Sequence, residues 1–102
     1  MITNPLVSVV LPVYNAENFL VEAVESILTQ TFNNFEFIII DDCSTDNSWK
    51  MIQEYAQKDD RIIAVKNDVN LKLSKTLNKG ISLSKGKYIA RMDADDISMP
   101  DR

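Results

Sequence analysis

Phe35-Glu36-Phe37-Ile38-Ile39-Ile40-Asp41-Asp42-Cys43-Ser44-Thr45-Asp46 decides how this chain folds. Phe35 to Ile40 is short, apolar and rich in β-branched residues, which predicts a buried strand. It stops abruptly at Asp41-Asp42, and Ser44-Thr45-Asp46-Asn47 is a helix-start cluster. Trp49, Ile52, Tyr55 and Ala56 form a face for the helix that follows. Working toward the N-terminus, Leu20, Ala23, Val24, Ile27 and Leu28 recur at helical spacing, with Glu22 and Glu25 outside the stripe. Asn15 or Asn18 can cap that helix. Before it, Val7 to Leu11 predicts a first strand whose pairing Pro12 closes, because proline offers no N–H. Toward the C-terminus, Arg61 to Val65 is a third, shorter strand. Leu73, Leu77, Ile81 and Leu83 mark a third helix, with Gly86 as its terminal glycine. Lys87 to Met92 is a fourth strand. The order β-α-β-α-β-α-β implies a parallel sheet with helices on its faces and right-handed crossovers. The apolar character of strands one, two and four predicts burial on both sides.

Composition narrows the function. The 102 residues make one domain, spanning 1–102, with 45% hydrophobic and 25% charged residues. A net charge of -4 argues against nucleic acid as a partner. No apolar run approaches the roughly 20 residues that span a bilayer, and no basic segment followed by an apolar core suggests a signal peptide. Cys43 is the sole cysteine, so a reducing, cytoplasmic setting is expected. There are no histidines, which removes a His base, a Ser-His triad and a His-ligated zinc site. Acid–base or metal work falls to carboxylates.

In an open parallel sheet, ligands bind beyond the carboxyl ends of the strands. That edge carries Pro12-Val13-Tyr14-Asn15, Asp41 to Asp46, Asn67-Asp68-Val69-Asn70 and Asp93-Ala94-Asp95-Asp96. Helix capping accounts for Ser44 or Asp46 as well as function does, but it does not account for Asp41 at the strand end. Three carboxylates within Asp93 to Asp96 repel one another unless a cation sits among them, and hard oxygen ligands suit Mn²⁺ or Mg²⁺. Gly80 and Gly86 are the only glycines, so neither a dinucleotide fingerprint nor a P-loop can be built. A metal must then neutralise a diphosphate. A carboxylate after the second strand can accept the imino N–H of a pyrimidine base, and Tyr14 could stack on the ring. Together these features point to a nucleoside diphosphate.

At this point the motifs resemble a known family. Val7 to Asn15, the Asp41-Asp42-Cys43-Ser44-Thr45-Asp46 turn, the segment from Asn70 through Gly80-Ile81, and Lys85 to Ala90 leading into Asp93-Ala94-Asp95 resemble family-2 glycosyltransferases of GT-A fold. The resemblance implies a Rossmann-like parallel sheet of about four strands with flanking helices, the nucleotide-sugar-binding half of a GT-A domain. It implies that Asp41 and Asp42 belong to the nucleotide site, with Asp41 on the nucleobase, and that Pro12, Val13, Tyr14 and Asn15 line it. Asp93 would face the ribose or the metal shell, Asp95 would be the direct metal ligand, and Asp96 a secondary one. The expected donor is a nucleotide-diphospho-sugar, a UDP-sugar by preference. The acceptor would be a saccharide or lipid-linked hydroxyl in the full-length enzyme, working at the inner face of the membrane. Inverting members use a separate carboxylate base, expected beyond Arg102, so no catalytic residue is assigned within this chain.

Cys43 and Lys72 stand where the family commonly has glycine. From this a turn free of positive φ is expected at Cys43, with Cys43 a small packed residue. Lys72 or Lys75 could reach a donor phosphate, although a solvated lysine at a helix start explains each more simply. Two other classes compete. A phospho-receiver domain shares the acidic pair, but places it after the first strand. An inactive fragment would self-associate as a homodimer through an exposed sheet edge and apolar face.

Overall fold

A computed structural model describes residues 5–29 and 34–92. The expected ligands Asp93, Asp95 and Asp96 lie outside the described residues. The elements are β1 (Val7–Val13), α1 (Glu17–Leu28), β2 (Phe35–Asp41), α2 (Ser48–Lys58), β3 (Ile62–Lys66), α3 (Lys72–Leu83) and β4 (Tyr88–Arg91). All pairings are parallel, in the order β3-β2-β1-β4. The chain therefore winds outward from β1 to β3, then returns across the sheet to place β4 on the other side of β1. That reversal between β1 and β4 is the topological switch point at which open α/β sheets bind ligands. No described helix is long and apolar enough to cross a membrane.

The two faces of the sheet follow from period-two alternation. Val9, Leu11, Val13, Phe35, Phe37 and Ile39 pack with Leu20, Ala23, Val24 and Ile27 of α1 and Ile52 of α2. The other face holds Val10, Ile38 and Ile40, with Ile63, Val65 and Leu77 against them. Full burial of each Val, Leu or Ile here contributes about 1.5–3 kcal/mol. The predicted face of α1 is buried at Leu20, Ala23, Val24 and Ile27; of the predicted α2 face Ile52 is buried, while Trp49, Tyr55 and Ala56 are half-buried against the core.

Five expectations need correction. Pro12 does not end β1, which runs to Val13 with Pro12 in register opposite Ile40. The Val10 carbonyl accepts from Met92 N at 2.9 Å, and Pro12, two residues on, faces the same side. There the β4 ladder ends at Arg91, so the missing N–H costs no pairing. β4 is not buried on both sides; it is an edge strand with Tyr88 57% and Ile89 47% exposed. In α3 the buried positions are Thr76 and Gly80, while Leu73, Ile81 and Leu83 are exposed. Gly80 sits against the Val10 and Ile40 side chains, so the absent side chain is what lets α3 lie close on the sheet. Gly86 does not cap α3: Ser84 occupies that position in extended backbone, and no glycine has positive φ. Gly86 instead crosses the β1 backbone at Ser8, where there is no room for a Cβ. Neither Asn15 nor Asn18 caps α1, whose N-cap is Ala16 without a side-chain cap bond.

Candidate functional site

The edge is built by one step of strand alternation. Val13, Asp41 and Lys66 are aligned across β1, β2 and β3, and the chain then turns at Asp42, whose N–H donates to Val13 O at 2.7 Å. Asp41 has the parity of Phe37 and Ile39, and Asp42 turns to the α3 side. Asp41 is fully buried, and its Oδ2 accepts from Ser44 N at 3.0 Å. Asp42 meets the start of α3 instead. Its Oδ1 accepts from Leu71 N at 2.7 Å and Asn67 Nδ2 at 2.9 Å, and its Oδ2 from Lys72 N at 3.0 Å. Burial pulls the Asp42 carboxyl upward, but the bonds from Leu71, Asn67, Thr76 and Lys72 outweigh it and hold the pKa below the ordinary carboxylate value. Asp42 is thus an anion at neutral pH beside a cavity of about 220 Å³. Pro12 and Val13 of β1 with Tyr14 just after it form one wall, and Asn70, Lys72, Leu73 and Thr76 the other. Tyr14 is 53% exposed, which leaves its ring free to stack on a planar ligand.

The residues that cap α1 come from the loop after β2. Ser48 Oγ accepts from Ala16 N at 3.1 Å, and Ser44 Oγ from Asn15 N at 2.9 Å. Asp46 bridges both helix starts, accepting from Glu17 N at 3.2 Å and Ser48 N at 2.9 Å. Asn15 answers with its side chain, whose Oδ1 accepts from Thr45 N at 2.7 Å. Ser44 and Asp46 are therefore structural, and Asn15 clamps two loops together instead of lining the cavity. Burial raises the Asp46 carboxyl, and the bonds from Ser48 and Glu17 overcome this and lower its pKa. Because the folded value is depressed, the stability it gives is present above the unfolded pKa and is lost as pH falls through the folded one. Asp46→Ala is expected to cost about 1–2 kcal/mol at neutral pH. Urea denaturation should show that penalty shrinking as the pH drops below about 4.

The sequence profile of glycosyl transferase family 2 matches residues 8–102. The chain belongs to this family. An uncharacterized glycosyltransferase of Methanocaldococcus jannaschii is 48% identical over 100 residues, covering 96% of this chain and 34% of the relative. The crystal structure of S. aureus TarS 1-349 in complex with UDP superposes with a TM-score of 0.82 at 29% identity, covering 89% of this chain and 28% of TarS. TarS 1-349 is also known in complex with UDP-GlcNAc. A mannosyltransferase from Pyrobaculum calidifontis in complex with GDP-Man and Mn²⁺ shares the fold with a TM-score of 0.84 at 22% identity, covering 93% of this chain and 29% of that one. The chain spans about a third of the length of its curated relative.

Against the glycosyltransferase expectations, the structure brings Pro12, Val13, Tyr14 and Asp42 to one cavity. Asp41 is not among the lining residues: it is fully buried, with Oδ2 accepting from Ser44 N and Oδ1 without a hydrogen-bond partner among the described residues. Lys72 lines the cavity, whereas Lys75 is exposed on α3 and absent from the lining. Among the described residues no cluster of three or more His, Cys, Asp or Glu could hold a metal. The turn at Cys43 does not avoid positive φ: Cys43 has φ 61° and Lys72 φ 72°. Both positions adopt the left-handed backbone that favours glycine. Cys43→Gly should raise stability by about 0.5–1 kcal/mol, because the Cβ penalty vanishes and its Sγ reaches only Asp68 O at 3.6 Å. A higher midpoint in thermal unfolding checks this. Sequence reasoning passed over Glu36, although an acid inside an apolar strand was a visible signal. It is 1% exposed and accepts from Ser8 Oγ and from Lys85 N, at 2.5 and 2.6 Å. Ser8 Oγ in turn accepts from Gly86 N at 2.7 Å. This trio pins the connection between α3 and β4 onto the sheet.

Proposed function

We propose that this chain is the donor-binding part of a metal-assisted, inverting glycosyltransferase, which moves a glycosyl group from a nucleoside-diphosphate sugar to an acceptor hydroxyl. The observation that carries this reading is the placement of Asp42. It lines the cavity as an anion, and a carboxylate can only accept, so it is placed to receive a donor from a bound ligand. The imino N–H of a uracil or guanine ring supplies such a donor. Tyr14 offers a face for stacking, and Lys72 gives a cation for phosphate at the far wall. TarS, which binds UDP and UDP-GlcNAc, supports a UDP-sugar as the donor.

A divalent cation, Mn²⁺ or Mg²⁺, belongs to the same reading. Asp93 and Asp95 would hold it through hard carboxylate oxygens. Met92, which directly precedes them in sequence, donates its N–H to Val10 O of β1, the strand that carries Pro12 and Val13. When bound, the cation would neutralise the diphosphate and stabilise the departing nucleoside diphosphate. The general base is assigned to no residue of this chain. The phospho-receiver alternative has no support: the acidic pair follows β2, and β3 ends at Lys66.

Calorimetric titration of UDP and GDP, each with and without Mn²⁺, tests the proposal. Heat of binding that depends on the metal is expected, larger for UDP. No metal-dependent heat with either nucleotide would refute it.

A further inference from the structure

We propose that Asn67 and Lys79 are positioning residues for this site: Lys79 sets the amide orientation of Asn67, and Asn67 holds the Asp42 carboxylate in the orientation it presents to the ligand. The inference rests on reading the cavity as the nucleotide site. Neither residue lines the cavity, so neither acts by touching the nucleotide there.

Asn67 directly follows β3, is 2% exposed, and is tied to the sheet by its own N–H, which donates to Asp41 O at 2.8 Å. Lys79 Nζ donates to its Oδ1 at 2.7 Å. An ammonium can only donate, so this contact fixes which end of the amide is oxygen. Nδ2 is then turned the other way and uses both hydrogens, one to Asp42 Oδ1 at 2.9 Å and one to Thr76 Oγ1 at 3.0 Å. Thr76 and Lys79 are three residues apart on α3, so one face of that helix holds Asn67 at two points. With the amide reversed, its carbonyl would oppose the Asp42 carboxylate and Asp42 would lose a donor. Oδ1 would then be released from Asn67, and the orientation set for the base would be lost. Leu71 N and Lys72 N fix the carboxylate from the backbone, and the Asn67 amide, itself bonded to Thr76 Oγ1, restrains it from the side-chain side together with the Thr76 hydroxyl.

The test compares the wild-type chain with Lys79→Met and Lys79→Arg in two measurements. The first is UDP affinity by calorimetry with Mn²⁺. The second is the titration of the Asp42 carboxyl carbon by NMR without nucleotide or metal, with Asp46 as internal reference. Lys79→Met is expected to weaken UDP binding on the order of tenfold and to move the Asp42 midpoint upward while Asp46 stays put. Lys79→Arg should restore most of both. A merely structural lysine would lower the unfolding midpoint and leave the Asp42 titration where it is. Lys79→Met with wild-type affinity and an unmoved Asp42 midpoint overturns the proposal. If the wild-type chain binds no nucleotide, the nucleotide reading has failed, and the Asp42 titration alone still decides whether Lys79 acts on Asp42.

Discussion

Asp42→Ala should both unfold the chain more easily and weaken nucleotide binding severely. Donors from Asn67, Leu71, Lys72 and Thr76 converge on this carboxylate. A buried donor that loses its acceptor costs about 1–3 kcal/mol, and more where the lost acceptor was charged. Water entering the adjoining cavity offsets part of this, which leaves a net loss of about 3 kcal/mol. For a chain of this size each kcal/mol lowers the melting temperature by about 4–8 °C, so a fall of about 12–24 °C is expected. Asp42→Asn is an informative companion. It keeps the shape but turns an amide toward backbone N–H groups, so it should recover less stability than its size suggests. In binding, a hydrogen bond to a charged group contributes about 1.5–3 kcal/mol, so either variant should weaken UDP by about 10-fold to 150-fold. Thermal unfolding and calorimetry on the same samples separate the two effects. A variant as stable as the wild type would show that Asp42 does not organise the start of α3.

The second large effect is expected at Gly86. A Cβ there would lie 2.5 Å from Ser8 N and 2.7 Å from the carbonyl carbon of Val7. Backbone atoms inside a paired strand have no rotamer to change, so β4 must move away from β1. That movement also pulls Gly86 N–H off Ser8 Oγ and strains the link to Glu36. Gly86→Ala is expected to cost about 3 kcal/mol or more. Gly80→Ala gives the contrast. Its Cβ would press into Val10 Cγ1 and lie 2.8 Å from Ile40 Cδ1, side-chain carbons and not strand backbone, so α3 can lift slightly and about 1–3 kcal/mol is expected. Urea denaturation of both variants should rank Gly86→Ala as the more damaging, and the reverse order would refute this account of the β1–β4 contact.

The parts of the fold visible in the sequence are those set by short-range patterning. The apolar run from Phe35 to Ile40 and the stripe from Leu20 to Leu28 depend only on the periods of strand and helix, and the element order follows from them. What eluded the sequence depends on partners far along the chain. The start of α1 is capped by Ser44, Asp46 and Ser48, about thirty residues away, so Asn15 and Asn18 looked like caps for lack of a competitor. The Asp41-Asp42 pair announced an acidic site but not which member faces it, because that depends on the parity with which β2 leaves the sheet. Gly86 resembled a helix terminator because a glycine after an apolar stripe carries the same signal as a glycine under a strand. Apolar content at Tyr88-Ile89 predicted burial, yet an edge strand with the same residues stays open along one side.

The central claim is that the cavity between Tyr14, Asp42 and Lys72 receives a nucleoside diphosphate. Titrating UDP into the isotopically labelled chain with Mg²⁺, and following backbone amides by NMR, tests it most directly. The account predicts saturable shifts at Tyr14, Asp42 and the Asn70 to Leu73 turn, with the α1–α2 groove of Val21, Met51 and Tyr55 unchanged. Shifts centred on that groove, or none at saturating UDP, would contradict it.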